Sequence, residues 1–160
     1  MTAPLLDTHA WLWWLRREKR LGARSFAALD GLAPDDRPFV ADISLWEVAM
    51  LVDLGRLELS EPLADWLEAA SHPRLVTVVP VSAAIAAESV GAVGVLRDPA
   101  DRLIVATSRT LRLPLLTHDN AIIRSRLGHP GLRPVARRGR EAPQVGNHAG
   151  RSRRGGACAG

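Results

Sequence analysis

The stretch Arg97-Asp98-Pro99-Ala100-Asp101-Arg102-Leu103-Ile104-Val105-Ala106-Thr107 joins a helix start to a pair of acids, and its reading decides the fold. Pro99 suits the first helical position, because its missing N–H is not needed there and its φ is preset. Asp98 then falls at the N-cap, where its carboxylate accepts an orphan backbone N–H. Asp101 falls in the first turn, near the positive end of the helix dipole. A capped helix start, stabilised by about 1 kcal/mol, accounts for all of this without any chemistry. A catalytic meaning has to come from the rest of the chain, since short acidic motifs recur by chance.

Toward the N-terminus, Gly91-Ala92-Val93-Gly94 breaks the chain after an alanine-rich helical segment, Ser82 to Val90. Before it, Leu75 to Val79 is rich in β-branched residues and reads as a strand. Pro4-Leu5-Leu6-Asp7 and Phe39-Val40-Ala41-Asp42-Ile43 read as two further strands. A helix follows each: Thr8 to Leu15 and Ala23 to Leu32 after the first, and Ser44 to Leu54 and Glu61 to Ala70 after the second. Ser44-Leu45-Trp46-Glu47 matches a capping box, and Gly55 supplies the stop. In the first helix Trp11, Trp14, Leu12 and Leu15 share an apolar face, and Trp13 points elsewhere as a candidate interface anchor. Toward the C-terminus, Leu113 to Thr117 reads as a strand, 121–127 as a helix and Leu132 to Val135 as a last edge strand. Strands alternating with helices predict an α/β fold with a mainly parallel sheet.

Length and composition agree with one domain: 160 residues, 47% hydrophobic, suffice for a proper core. The apolar runs are too short and interrupted to cross a membrane, and Met1 to Asp7 lacks the pattern of a secretory signal. Cys158 is the only cysteine, so an intrachain disulfide and a cysteine-based zinc site are excluded, and a cytoplasmic setting is expected. The net charge of +4 is unevenly placed. Residues 134–160 hold six arginines and one glutamate, which leaves 15 basic against 16 acidic residues in 1–133. The chain is therefore expected to divide into a nearly neutral domain, 1–135, and a basic Arg/Gly-rich tail, 136–160, too poor in apolar residues to order itself.

In a parallel sheet, sites form outside the carboxyl ends of the strands. That rule links four distant acids. Asp7 ends the first strand, and Glu47 lies one turn into the helix after the second. Asp101 lies in the helix after the glycine break, and Asp119 follows the strand at 113–117. Each has a local explanation as a cap or turn residue, yet all four fall at one topological position. Clustered carboxylates repel one another, so they protonate or hold a cation. Oxygen-only ligands suit Mg²⁺ or Mn²⁺, and one or two such ions activate water and stabilise the leaving oxygen of a phosphoryl displacement.

Leu5-Leu6-Asp7-Thr8-His9-Ala10, Ser44-Leu45-Trp46-Glu47-Val48-Ala49, Gly55-Arg56-Leu57-Glu58-Leu59, Asp98-Pro99-Ala100-Asp101-Arg102-Leu103-Ile104 and Leu116-Thr117-His118-Asp119 together resemble a PIN domain, most closely the VapC-type ribonuclease toxins of bacterial toxin–antitoxin pairs. The likeness spans about residues 4–135, in order and spacing. It implies a three-layer α/β/α domain with a central parallel sheet of about five strands. It implies that Asp7, Glu47, Asp101 and Asp119 are the catalytic metal ligands for Mg²⁺, with Mn²⁺ as substitute. Asp98, Thr8, Thr117 and Asn120 would support them, and Arg97, Arg102, His9 and His118 are candidate contacts to RNA or antitoxin. The implied activity is endoribonuclease hydrolysis of a structured RNA such as tRNA or rRNA, leaving a 5′-phosphate and a 3′-hydroxyl. The implied partners are a cognate antitoxin and a second copy of the chain, with operator DNA bound only through the antitoxin complex. Ala49-Met50-Leu51-Val52 lacks the basic residue many relatives carry after the helix glutamate, and Ala100 replaces a bulkier aromatic.

Other doubly wound families fit less well. A two-component receiver needs a lysine near its last strands, and the sole lysine is Lys19. A haloacid-dehalogenase-like phosphatase needs an aspartate where His9 stands, and neither glycine-rich nucleotide motif is present. The rival from another class is a catalytically idle PIN-like module that binds RNA or protein. RNA attraction would draw on a patch of Arg97, Arg102, Arg109 and Arg112 or on the basic tail.

Overall fold

The computed structural model describes residues 3–128. At its centre β1 (Leu5–Leu6) pairs in parallel with β2 (Phe39–Ala41) on one side and with β4 (Leu115–Leu116) on the other. β2 pairs in parallel with β3 (Thr77–Val79), giving the order β3-β2-β1-β4. The register sets Leu5 against Phe39 and Leu115, and Leu6 against Val40 and Leu116.

Successive strand residues point to opposite faces, so each pair of neighbours serves two cores. Leu6, Val40 and Leu116 join Trp11, Leu21, Val48 and Val76 in one apolar cluster. Leu5, Ala41 and Leu115 join Leu96, Ile104, Val105 and Ile122 in the other. A strand buried on both faces reads as an unbroken apolar run, as Leu5-Leu6 and Leu115-Leu116 do. Helices α1 (Thr8–Leu15), α2 (Ala23–Asp30), α3 (Ile43–Asp53) and α4 (Leu63–Ala70) supply residues to the first cluster. Helices α6 (Pro99–Leu111) and α7 (Asn120–Ser125) supply the second, and α5 (Ala83–Val90) packs on α6. The result is the expected three-layer α/β/α arrangement.

Chain direction creates the site. From β1 the sheet grows outward through β2 to β3, then the chain returns through α5 and α6 to place β4 on the other side of β1. The order therefore reverses between β1 and β4, and a doubly wound sheet opens a crevice at such a switch.

Four departures from the sequence reading have physical causes. Four strands form the sheet among the described residues rather than about five; the expected strand at Leu132–Val135 and the tail 136–160 lie outside them. Ser44 and Glu47 form no capping box. The residue before α3 is Asp42, already in the right-handed helical region and without a side-chain cap bond. Ser44 lies inside the helix, fully buried, with its hydroxyl 2.8 Å from that of Thr8. A tertiary partner has taken the hydroxyl a cap would use. Trp13 is half-buried among His9, His118 and Arg20 rather than an exposed anchor, and the tryptophan that faces solvent is Trp46, 57% exposed. Finally, Arg97, Arg102, Arg109 and Arg112 make no single patch. Arg112 caps the far end of α6, about 16 Å from Asp101 at a 1.5 Å rise per residue, and Arg109 is paired with Glu88 at 2.5 Å.

Candidate active site

Most of the acids are fixed where a helix begins, and Glu47 lies one turn further in. Asp7 follows β1 directly and caps α1: its Oδ1 accepts from the Ala10 N–H at 2.6 Å, and the residue is 3% exposed. Asp119 follows β4 and caps α7, with Oδ1 accepting from the N–H groups of Ala121 at 2.6 Å and Ile122 at 3.1 Å. Asp98 caps α6 by accepting from the Ala100 N–H at 2.8 Å, and Asp101 sits in the turn it starts. Glu47 projects from α3, and its Oε2 accepts from the Thr8 hydroxyl at 2.5 Å.

Two threonines tie these segments together. Thr8 is 3% exposed and joins α1 to α3 through Glu47 and Ser44. Thr117 accepts from the Asp119 N–H at 3.0 Å, and its hydroxyl hydrogen-bonds the Asp7 carboxylate. One hydroxyl thus links the acid after β1 to the acid after β4, across the reversal in strand order. Asn120 is exposed at the first position of α7, with no side-chain hydrogen bond to a described residue.

The electrostatics show that these groups feel one another. Asp101 is pushed from 3.8 up to about 7, first by burial and then by the charges of Asp119, Asp98, Glu47 and Asp7. Burial also raises Glu47; the Thr8 hydrogen bond opposes this, while Asp98 and Asp7 add to it. Asp7 is raised by its complete burial, against the pull of Thr117, the Ala10 N–H, His9 and His118. Such a centre is short of positive charge. Among the described residues no three acid, histidine or cysteine side chains close around one point as a finished cage. The donor set nevertheless suits a hard cation, because the backbone bonds to Asp7 and Asp119 fall on a single oxygen of each. The second oxygen of each carboxylate carries no backbone bond.

Asp7 is buried, Glu47, Asp101 and Asp119 are half-buried and Asp98 is exposed. A concavity bounded by Glu88, Val105 and Leu127 and another beside Trp14, Pro34 and Arg74 are lined by none of these five acids. Around the rim, Arg97 is exposed and Arg102 half-buried, and neither makes an ion pair with a described residue. His9 is exposed; the His118 Nε2 is buried with no hydrogen-bond partner among the described residues.

Sequence reading missed Ser44 as a neighbour of Thr8, and it missed Asp42. The Asp42 Oδ2 accepts from the Val81 N–H at 2.9 Å, which ties the end of β2 to the loop after β3, and its Oδ1 is buried with no hydrogen-bond partner among the described residues. Its place after β2, matching that of Asp7 after β1, was the available signal. Trp13 and Arg20 were missed as a cluster, since residues seven apart on either side of a helix end carry no periodic signature.

Comparison with known proteins agrees with this fold. The PIN domain family model matches residues 5–126. Ribonuclease VapC22 of Mycobacterium tuberculosis is 38% identical over 136 residues, covering 84% of this chain and 98% of that protein. Two solved structures share the fold: a toxin-antitoxin complex from Klebsiella pneumoniae (TM-score 0.51, 22% identity, 73% of this chain and 87% of that one) and FitAB bound to an IR36 DNA fragment (TM-score 0.51, 21% identity, 76% and 89%). With an α/β/α sandwich, an acidic rim at the strand reversal and this degree of identity, the chain belongs to the PIN-domain family and is of the VapC type.

Proposed function

We propose that this protein is a Mg²⁺- or Mn²⁺-dependent endoribonuclease and the toxin of a toxin–antitoxin pair. The observation that carries the reading is the Asp101 carboxyl, raised to about 7 first by burial and then by the charges of Asp119, Asp98, Glu47 and Asp7, acids from separate segments of the chain. Acids drawn from separated segments into mutual repulsion suit a cation better than a structural role, which would require none of them to meet. Likeness to a relative named as a ribonuclease and to a chain in a toxin-antitoxin complex supports the same reading.

Asp7, Glu47, Asp101 and Asp119 would hold one or two ions. When bound, the cation supplies charge that activates water and neutralises the leaving oxygen of an in-line displacement at a phosphodiester. The chain's own contribution is placement. Thr8 orients the Glu47 carboxylate, and Thr117 orients Asp7. Asp98 starts the helix that aims Asp101. Arg97, Arg102, His9 and His118 supply positive or hydrogen-bonding groups to RNA beside an acidic centre that repels phosphate. The substrate would be a structured RNA such as tRNA or rRNA, cleaved to a 5′-phosphate and a 3′-hydroxyl. A cognate antitoxin would silence the enzyme, a second copy would complete a homodimer, and operator DNA would be bound only through the antitoxin complex.

The test is RNA cleavage with Mg²⁺ or Mn²⁺ by wild type, Asp7→Asn and Asp101→Asn. Cleavage by wild type alone supports the reading, and equal cleavage by all three overturns the metal site. RNA binding without cleavage by wild type would instead mark a non-catalytic binding module.

A further inference from the structure

An acidic centre needs a separate means of holding a polyanion, and one lies beside Asp7. The Trp13 indole is ringed by three groups. His9, one helical turn back, has its ring centroid 5.8 Å away and tilted by 51°. His118, next to Asp119, meets the indole nearly edge-on at 5.4 Å and 67°. The Arg20 guanidinium, from the turn after α1, lies over the indole at 5.6 Å. Arg20 and Arg16 share one partner, Glu18, at 3.2 and 3.7 Å, so the group keeps a net positive charge. Both histidines act electrostatically on Asp7, and His9 also acts on Glu47, so the cluster borders the acids directly.

We propose that His9, Trp13 and Arg20 form a nucleotide subsite, in which the exposed His9 imidazole stacks an unpaired RNA base and Arg20 takes the neighbouring phosphate. This deepens the ribonuclease reading and rests on it. Trp13 is a positioning residue: half-buried, it packs against both His9 and Arg20 and so holds the two on one cluster. The chemistry favours single-stranded or splayed-out RNA over a protein partner. Aromatic faces next to a guanidinium recognise bases and phosphates in sequence, and every base offers a π-face. A protein-docking surface of this size would want an apolar centre, whereas this one carries two imidazoles and an arginine that is 69% exposed.

The test uses the Asp101→Asn protein in EDTA, so that neither cleavage nor a cation enters the binding measurement. Its affinity for a 12-nucleotide single-stranded RNA is followed by fluorescence anisotropy across a salt series. Adding His9→Ala should weaken binding about tenfold, whereas His9→Phe, which keeps a stacking face, should restore most of it. Adding Arg20→Ala should lower the slope of log affinity against log salt by about 0.7, the loss of one phosphate contact on a single strand. Unchanged affinity and slope in His9→Ala and Arg20→Ala overturn the subsite, and when wild type still cleaves RNA the ribonuclease reading stands without it. Failure of the Asp101→Asn protein to bind RNA, together with failure of wild type to cleave it, overturns both.

Discussion

The hydroxyl of Thr8 donates to the Glu47 carboxylate at 2.5 Å across 39 residues of sequence. It joins the residue after Asp7 to the acid on α3, and the Ser44 hydroxyl of the same helix lies 2.8 Å from that of Thr8. Thr8→Val keeps the shape and removes the donor. Stability should fall by about 1–3 kcal/mol, the cost of stranding buried polar partners. Cleavage should fall by about 10–100-fold, as for other groups that orient a ligand. Thr8→Ser should retain most of both. Chemical denaturation and initial cleavage rates measure the two effects, and a Thr8→Val protein with full activity would remove Thr8 from the site.

Asp101→Asn should separate stability from function. Ionising Asp101 is opposed by burial and by four other carboxylates, so the neutral amide relieves repulsion in the metal-free protein. In EDTA at pH 8 its Tm should rise, by about 2–4 °C for each kcal/mol relieved. Cleavage should fall at least a hundredfold, and Mn²⁺ should lose its stabilising effect on melting. A lower Tm in EDTA would mean that Asp101 is structural.

The pH dependence follows from the same groups. Asp7, Glu47 and Asp101 all lie above their ordinary values, with Asp101 at about 7. A raised acid favours the folded state while it is protonated. Its contribution is complete below about pH 4 and is lost as pH rises through the folded value. The metal-free protein should therefore melt at a lower temperature at pH 8 than at pH 5. Asp30, lowered by the exposed Arg17 pair, acts in the opposite direction only below about pH 4. Added Mn²⁺ should restore the Tm at pH 8 and do little at pH 5. Calorimetric melts in EDTA and in Mn²⁺ check this directly, and a Tm that climbs between pH 5 and 8 without metal would contradict it.

Asp98 should prove to be a helix cap before it is a ligand. Its Oδ1 accepts from the Ala100 N–H at 2.8 Å. Asp98→Ala should cost about 1 kcal/mol, and Asp98→Asn almost nothing, because asparagine caps equally well. If Asp98→Asn abolishes cleavage while melting unchanged, the residue belongs with the four candidate ligands.

The start of the helix at Pro99 could be read from sequence to the residue, because Pro99 and Asp98 act through the local backbone and need no distant partner. The alternation of strand and helix was legible for the same reason, and it led through the strand-end rule to Asp7, Glu47, Asp101 and Asp119. Ser44 shows where that reasoning stops. Its local pattern favours a cap, yet a hydroxyl 36 residues away has taken it. Trp13 stops it again, because its burial depends on His118 and Arg20, which reach it only after the sheet has formed. Sequence determined the order of strands and helices and the caps at Asp98 and Asp119, since capping and φ preferences are local energies. Only the tertiary structure decided which side chains meet. It does so by reversing strand order between β1 and β4, which lets Thr117 bridge Asp7 and Asp119 and brings Asp101 within reach of four other carboxylates.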